Sequence, residues 1–498
     1  MASALLAMSA PGLGRAVTLA PQFGDHAVLQ GGQPVPIWGT AAAGEGVAVT
    51  FRGARAAAVA GPDGRWSVLL PPMQDSTQPA VLTAAGTTTA TARDVLVGEV
   101  WLASGQSNME LPLTRAADAA AVIAAARFPE IRELKVERAV APAPAESIRT
   151  GGWRPASPET AGDFSAVAYF FARELWLRTG RPVGIINSTY GGTEIESWLG
   201  DAARRGTSLA HRLEARWQAQ QREWPPERVA QYPGEMARWQ QAEAAARKAG
   251  TPNPLTWPQP PATPDSPRRP GGLYNGMIAP LAPGALRGVL WYQGESNVGR
   301  ADEYGELFAA LIRSWRERWG RPDLPFYFVQ LPNFADDGAG DAAWPRLREA
   351  QASALSLPAT GLAVTIDVGR ADNLHPPDKA DVGRRLARLA LARVYGMPVE
   401  DSGPEFSGAT VEGSAMRVRF THAAGLRIRH GSPPTLQLAG SDRVFHPAAG
   451  RVENGTLLVS SPAVPAPVAV RYAWMNAPET GLENGAGLPA APFRSDQW

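Results

Sequence analysis

Gly98-Glu-Val-Trp-Leu-Ala-Ser-Gly-Gln-Ser-Asn-Met-Glu110 reads as an apolar strand that ends in Ser104-Gly105-Gln106-Ser107 and then turns toward a helix. Glycine before the turn lets the backbone bend sharply. A serine placed there stands at the carboxyl edge of a sheet, where ligands collect in open α/β folds, and the following backbone amides face the same crevice. Ser107 and Glu110 also have the S-x-x-E spacing of a capping box, so a serine that only caps a helix fits the same residues.

Outward from this stretch, residues 95–396 alternate apolar strands (95–103, 183–187, 288–292, 326–330, 362–366) with amphipathic helices (167–178, 304–319, 345–355, 378–394). That alternation predicts an α/β domain of three layers, a mostly parallel sheet covered by helices on both faces. Residues 201–270 interrupt it with a charged, Trp-containing helical segment around 213–248 and a Pro-rich run at 252–270. This insertion is read either as a cap on the active-site mouth or as a surface excursion. Short apolar stretches separated by Gly, Pro and Asp-Gly turns predict an N-terminal β-sandwich module over 17–94 and a C-terminal β-rich module over 397–498.

The charge balance, 48 basic against 47 acidic residues, offers no footprint for nucleic acid or an anionic membrane. The absence of cysteine excludes disulfides, a thiolate nucleophile and Cys-ligated metal. No stretch approaches the roughly 20 apolar residues that cross a bilayer. Residues 1–10 resemble the end of an export signal, which predicts a periplasmic or secreted protein; a disordered apolar start, compatible with the cytoplasm, is the alternative.

A serine hydroxyl needs a neighbouring base, and an imidazole base needs a carboxylate to fix its tautomer. Val364-Thr-Ile-Asp-Val-Gly-Arg-Ala-Asp-Asn-Leu-His-Pro-Pro-Asp-Lys379 follows a strand and offers Asp372 and His375 for those roles. The alternative is that Asp372 or Asn373 begins a helix and His375 is an exposed loop residue. The other five histidines fall in the β modules or the insertion, and no His-Glu-x-x-His or comparable zinc-ligand cluster is present, so no metal is expected. Asn187-Ser-Thr-Tyr-Gly-Gly192 brings glycine amides to another strand end, as oxyanion donors or as an ordinary turn. Leu290-Trp-Tyr-Gln-Gly-Glu-Ser-Asn297 adds Gln293, Glu295 and Asn297 at a fourth, as a donor set or as a hydrogen-bonded loop. All four segments sit at carboxyl ends of predicted strands, where one crevice collects them, and together they predict acyl transfer through serine.

At these residues the chain resembles the sialate O-acetylesterase family within the SGNH hydrolases. Trp101-Leu-Ala-Ser-Gly-Gln-Ser-Asn-Met-Glu110 is similar to that family's nucleophile block, Gly191-Gly-Thr-Glu-Ile-Glu-Ser-Trp198 to its second, Trp291-Tyr-Gln-Gly-Glu-Ser-Asn297 to its third and Asp372-Asn-Leu-His375 to its closing block. The resemblance implies an SGNH-like domain that hydrolyses acetyl esters on sugars without a cofactor, with Ser107, Asp372 and His375 as triad. The oxyanion would meet the amides of Ser107 and Gly192 and a side-chain donor. The superfamily's usual Gly-x-Asn-Asp reads Gly294-Glu-Ser-Asn297 here, so Gln293 and then Asn297 are the expected donors. Gln106, Asn108 and Glu295 are expected to contact substrate. O-acetylated sialic acid and acetylated hemicellulose both suit the resemblance, and the Trp-rich insertion favours neutral rings. Two rivals stand beside this reading: a glycoside hydrolase using Glu295 and Glu194, and a non-catalytic glycan-binding protein.

Overall fold

Thr89–Gly105 form one continuous strand of 17 residues, so the predicted boundary between the N-terminal module and the α/β domain falls inside it. Its first half pairs antiparallel with Ser76–Ala85, and Leu96 to Gly98 pair parallel with Val28–Gln30. Its second half lies between Val183–Thr189 and Gly288–Tyr292, parallel to both. The computed structural model describes residues 15–251, 253–336, 340 and 342–498; residues 1–10, read above as an export-signal remnant, lie outside the described residues.

The main run of strands is ordered Thr150–Ala156, Phe128–Val136, Val183–Thr189, Thr89–Gly105, Gly288–Tyr292, Phe326–Val329 and Thr360–Ala363. Within it only the outermost pair, Thr150–Ala156 with Phe128–Val136, is antiparallel. The whole sheet has 11 strands and is mixed, because the antiparallel N-terminal strands join it through Thr89–Gly105. Val183–Thr189 and Gly288–Tyr292 are buried along their full length, as strands covered on both faces must be. Register sorts the aromatic residues onto two faces. Trp101 and Tyr327 stack on one face beside Phe171 of helix Ala166–Thr179. On the other, Trp291, Phe326 and Phe328 pack around Phe308 and Trp315 of helix Ala301–Trp319. Gly383 of helix Ala380–Arg393 has no room for a Cβ against Phe170, which lets this helix lie close beside Ala166–Thr179.

The insertion holds two helices, Ser208–Arg222 and Pro226–Ala249, where one segment was expected. Pro225 and Pro226 separate them; a proline is tolerated in a helix's first turn but not within it. Arg216 ties the first helix to the domain through Glu196 and Glu303.

Beyond Gly396 a seven-stranded antiparallel sheet builds a second hydrophobic core, which includes Ile366 from the α/β domain. Arg348 joins the two bodies. Its guanidinium is fully buried and donates to the carbonyls of Leu331, Pro332, Met475 and Asn476, and burial without a carboxylate pushes it down to about 9.

Candidate functional site

Gly105 makes the turn that presents Ser107. Its φ is +132°, and any Cβ there would collide with the Tyr292 carbonyl. The chain then enters the short helix Ser107–Glu110, whose N-cap position belongs to Gln106, with no side-chain cap bond. The capping-box alternative is thereby displaced: Glu110 accepts from the Gly191 amide at 2.9 Å and from Arg138 at 2.7 Å. Ser107 Oγ instead lies 2.7 Å from His375 Nε2, across 268 residues of chain.

Asp372 does not join them. Its side chain is 72% exposed and sits 3.3 Å from Arg370. The reason is local: Asn373 Oδ1 accepts from the His375 amide at 2.9 Å, and the loop folded this way leaves Asp372 facing solvent. His375 Nδ1 has no protein acceptor among the described residues. Burial, then Lys379 and Arg115, push the imidazole down to about 4, while Glu243 from the insertion acts weakly in the opposite sense.

The expected side-chain oxyanion donors are also committed elsewhere. Gln293 Nε2 donates to the Thr193 carbonyl at 3.1 Å and to Asn297 Oδ1 at 2.7 Å, while its Oε1 accepts from Tyr304. Asn297 donates to Glu196 at 2.9 Å and accepts from the Ile195 amide at 3.0 Å. Both are buried, and they fasten the second loop to the third instead of facing Ser107. Gly191, whose amide Glu110 holds, packs against the Ser107 side chain, whereas Gly192 is exposed at φ +73°.

Residues expected to contact substrate point inward. Gln106 is buried, with Oε1 facing the amides of Gly294 and Ser296. Asn108 is fully buried; it donates to Glu295 Oε1 at 2.5 Å and to the Leu374 carbonyl at 3.0 Å, and accepts from Lys379 Nζ at 2.6 Å. The second Glu295 oxygen is buried without a hydrogen-bond partner, and burial raises the carboxyl. Glu194 pairs with Arg268 at 2.7 Å. Glu194 is thus held by an arginine and Glu295 is enclosed on Asn108, which leaves neither carboxyl open for the paired acid–base work of a glycosidase.

Sequence reasoning missed Lys379, Arg115 and Arg138. Arg138 covers the Tyr190 ring at 4.4 Å and helps line a cleft of about 510 Å³, with Tyr190, Arg149, Ser147 and Asp265, beside the Gly191 turn. Tyr232 of the insertion helix Pro226–Ala249 is raised by burial and then by Tyr190, which brings this helix over the same side. Glu400, Asp401 and His422 cluster closely enough to hold a cation, but they bond to one another and to Arg393 and are not among the residues around Ser107.

A family model described as carbohydrate esterase, sialic acid-specific acetylesterase, matches residues 264–392. The Mus musculus protein named sialate O-acetylesterase is 30% identical over 92% of this chain and 90% of its own length. Its Homo sapiens counterpart is 29% identical over 72% of this chain and 67% of its own length. Among solved structures, a carbohydrate acetylesterase from Xanthomonas citri is similar at a TM-score of 0.82 and 38% identity, covering 97% of this chain and 100% of that one.

Proposed function

The chain belongs to the sialate O-acetylesterase family and is a carbohydrate esterase, and from that premise we propose that Ser107 is its nucleophile and His375 its general base on a domain of the SGNH type. The single observation that carries this is the 2.7 Å contact between Ser107 Oγ and His375 Nε2. His375 Nε2 takes the Ser107 proton as Oγ attacks the acetyl carbonyl. The developing oxyanion is assigned to the backbone amides of Ser107 and Gly192, which lie just past the ends of two neighbouring strands. His375 then returns the proton to the departing sugar oxygen. A water molecule activated by the same imidazole releases acetate from Ser107. Since the low imidazole pKa keeps His375 neutral at physiological pH, the base is ready without prior deprotonation.

The substrate is an O-acetylated saccharide, and we assign it to a neutral oligosaccharide of the hemicellulose kind over a sialic acid. Arg138, which lines the cleft beside the Gly191 turn, already commits Nε and one terminal nitrogen to Glu110, which counts against a grip on a sugar carboxylate. The insertion adds Trp257, 42% exposed and edge-on to Trp239, a surface suited to a sugar ring. Acetate release from acetylated xylo-oligosaccharides and from O-acetylated sialic acid, compared as kcat/KM, tests the assignment, and a preference for the sialic acid would reverse it. The reaction is tested with Ser107→Ala, which is expected to lose at least about 10³-fold in kcat, as nucleophile removal does in serine hydrolases. Full activity in that variant, or new reducing ends in place of acetate, would refute it.

A further inference from the structure

Among the described residues no carboxylate meets the His375 imidazole, and a Ser–His pair of that kind needs something else to hold the base in place. Asn108 immediately follows Ser107, and its amide reaches the carbonyl of Leu374, the residue before His375, at 3.0 Å. One side chain thus links the nucleophile turn to the base loop. Asn108 is itself fixed from two further segments, by Glu295 at 2.5 Å from the loop after Gly288–Tyr292 and by Lys379 at 2.6 Å from the residue before helix Ala380–Arg393. We propose that Lys379, Asn108 and Glu295 form a buried positioning array that holds the His375 imidazole on Ser107, the task a triad carboxylate performs elsewhere.

Three observations support this beyond the distances. Lys379 and Asn108 are fully buried, and a buried ammonium is retained only where specific partners compensate it. Lys379 has Asn108 as hydrogen-bond acceptor, Tyr292 beneath it at 5.5 Å and the Glu295 carboxyl close enough to raise it, yet burial still brings it down to about 7. The chain uses arginine 45 times and lysine only three, and one of the three stands here. A compact ammonium fits a single buried acceptor where a planar fork of five donors would leave most of them unmatched. These residues touch no reacting atom, so they act through the placement of Ser107 and His375, to which Lys379 adds the influence of its charge on the imidazole.

The inference rests on the proposed Ser107–His375 chemistry, and the test separates the two. Lys379→Met, Glu295→Gln, Glu295→Ala and Ser107→Ala are compared with the unaltered chain by kcat and KM for acetate release, by the rate at which a serine-directed organophosphorus reagent labels Ser107, and by thermal midpoint. Lys379→Met is expected to lower kcat and the labelling rate together by about 100-fold, the scale of a misplaced reacting group, with KM nearly constant. Glu295→Gln keeps an acceptor for Asn108, so it should retain about tenfold more activity and labelling than Glu295→Ala, with thermal midpoints too close to account for the gap by lost packing. If Lys379→Met does not fold, the Gln and Ala pair at Glu295 carries the same test. Unchanged kcat and labelling in folded Lys379→Met, or equal losses in both Glu295 variants, overturn the array while leaving the nucleophile assignment standing. An active Ser107→Ala overturns both.

Discussion

Replacing Asp372 by Asn separates a Ser–His pair from a full triad. In a triad whose carboxylate holds the imidazole, this exchange leaves the geometry intact but favours the wrong tautomer, and kcat falls about 10⁴-fold. Here the carboxylate is 72% exposed, and its partner Arg370, 3.3 Å away, is 59% exposed. An ion pair of that kind contributes about 0–1 kcal/mol. The charge acting on His375 comes from Lys379, Arg115 and Glu243, with Asp372 absent among them. Asp372→Asn is therefore expected to keep kcat/KM within about threefold and to change stability by less than about 1 kcal/mol. The assay is acetate release at pH 7 under subsaturating substrate, with a thermal midpoint taken on the same samples. A fall beyond about 10³-fold with an unshifted midpoint would refute the reasoning and mean that Asp372 closes on His375 during turnover.

Other changes have equally definite outcomes. The imidazole must be neutral to act, and its pKa is pushed down to about 4, so kcat/KM should hold through pH 5 and fall only toward pH 4; an acid limb centred near 6.5 would contradict this. The sign for stability is the same: a histidine depressed in the folded state makes a contribution that is complete above pH 6.5 and is lost as pH falls through about 4. Gly105→Ala places a Cβ on the Tyr292 carbonyl at a φ of +132°, so labelling of Ser107 should drop by about 100-fold or more, and normal labelling would show that the turn tolerates the shift. Arg348→Leu strands four buried carbonyls between the α/β domain and the C-terminal module and should cost about 3 kcal/mol or more; unfolding curves unchanged from the parent would exclude that role.

Strand ends were legible because strands have a fixed period, whereas side-chain direction in the loops beyond them was not. The burial of 183–186 and 288–292 follows from unbroken apolar runs, and Gly105 marks the turn by itself. These features placed Ser107 and His375 in one crevice. Nothing local tells whether Gln293 or Asn297 faces that crevice or the neighbouring loop, since their partners Thr193, Glu196 and Tyr304 are settled by tertiary packing. The same holds for Asn108, whose three partners come from segments far along the chain. The three-residue spacing from Asp372 to His375 permits contact without requiring it, and a competing local bond from Asn373 to the His375 amide decides the loop. Lys379 did carry a signal, a lysine in a chain that otherwise uses arginine, beside the one histidine of interest. The expected start of the α/β domain lies within Thr89–Gly105 because that strand pairs with both modules, and Asp94, at φ +54°, does not end it.

The charges around His375 allow one last prediction with opposite signs from two residues. The Lys379 ammonium disfavours the imidazolium that forms as Ser107 attacks, while Glu243 on the insertion helix Pro226–Ala249 favours it. Glu243→Gln should therefore move the acid limb of kcat/KM further down, and Lys379→Met should move it up toward 6.5. Because Glu243 is the weakest of the four influences on His375, its removal should lower kcat by less than about tenfold, the effect of one distant charge. The pair of profiles also locates the insertion. If Glu243→Gln leaves the limb where it stands, the helix Pro226–Ala249 does not lie over the base in solution. A limb that moves down in this variant and up in Lys379→Met requires the insertion to roof the crevice while the ester is cleaved.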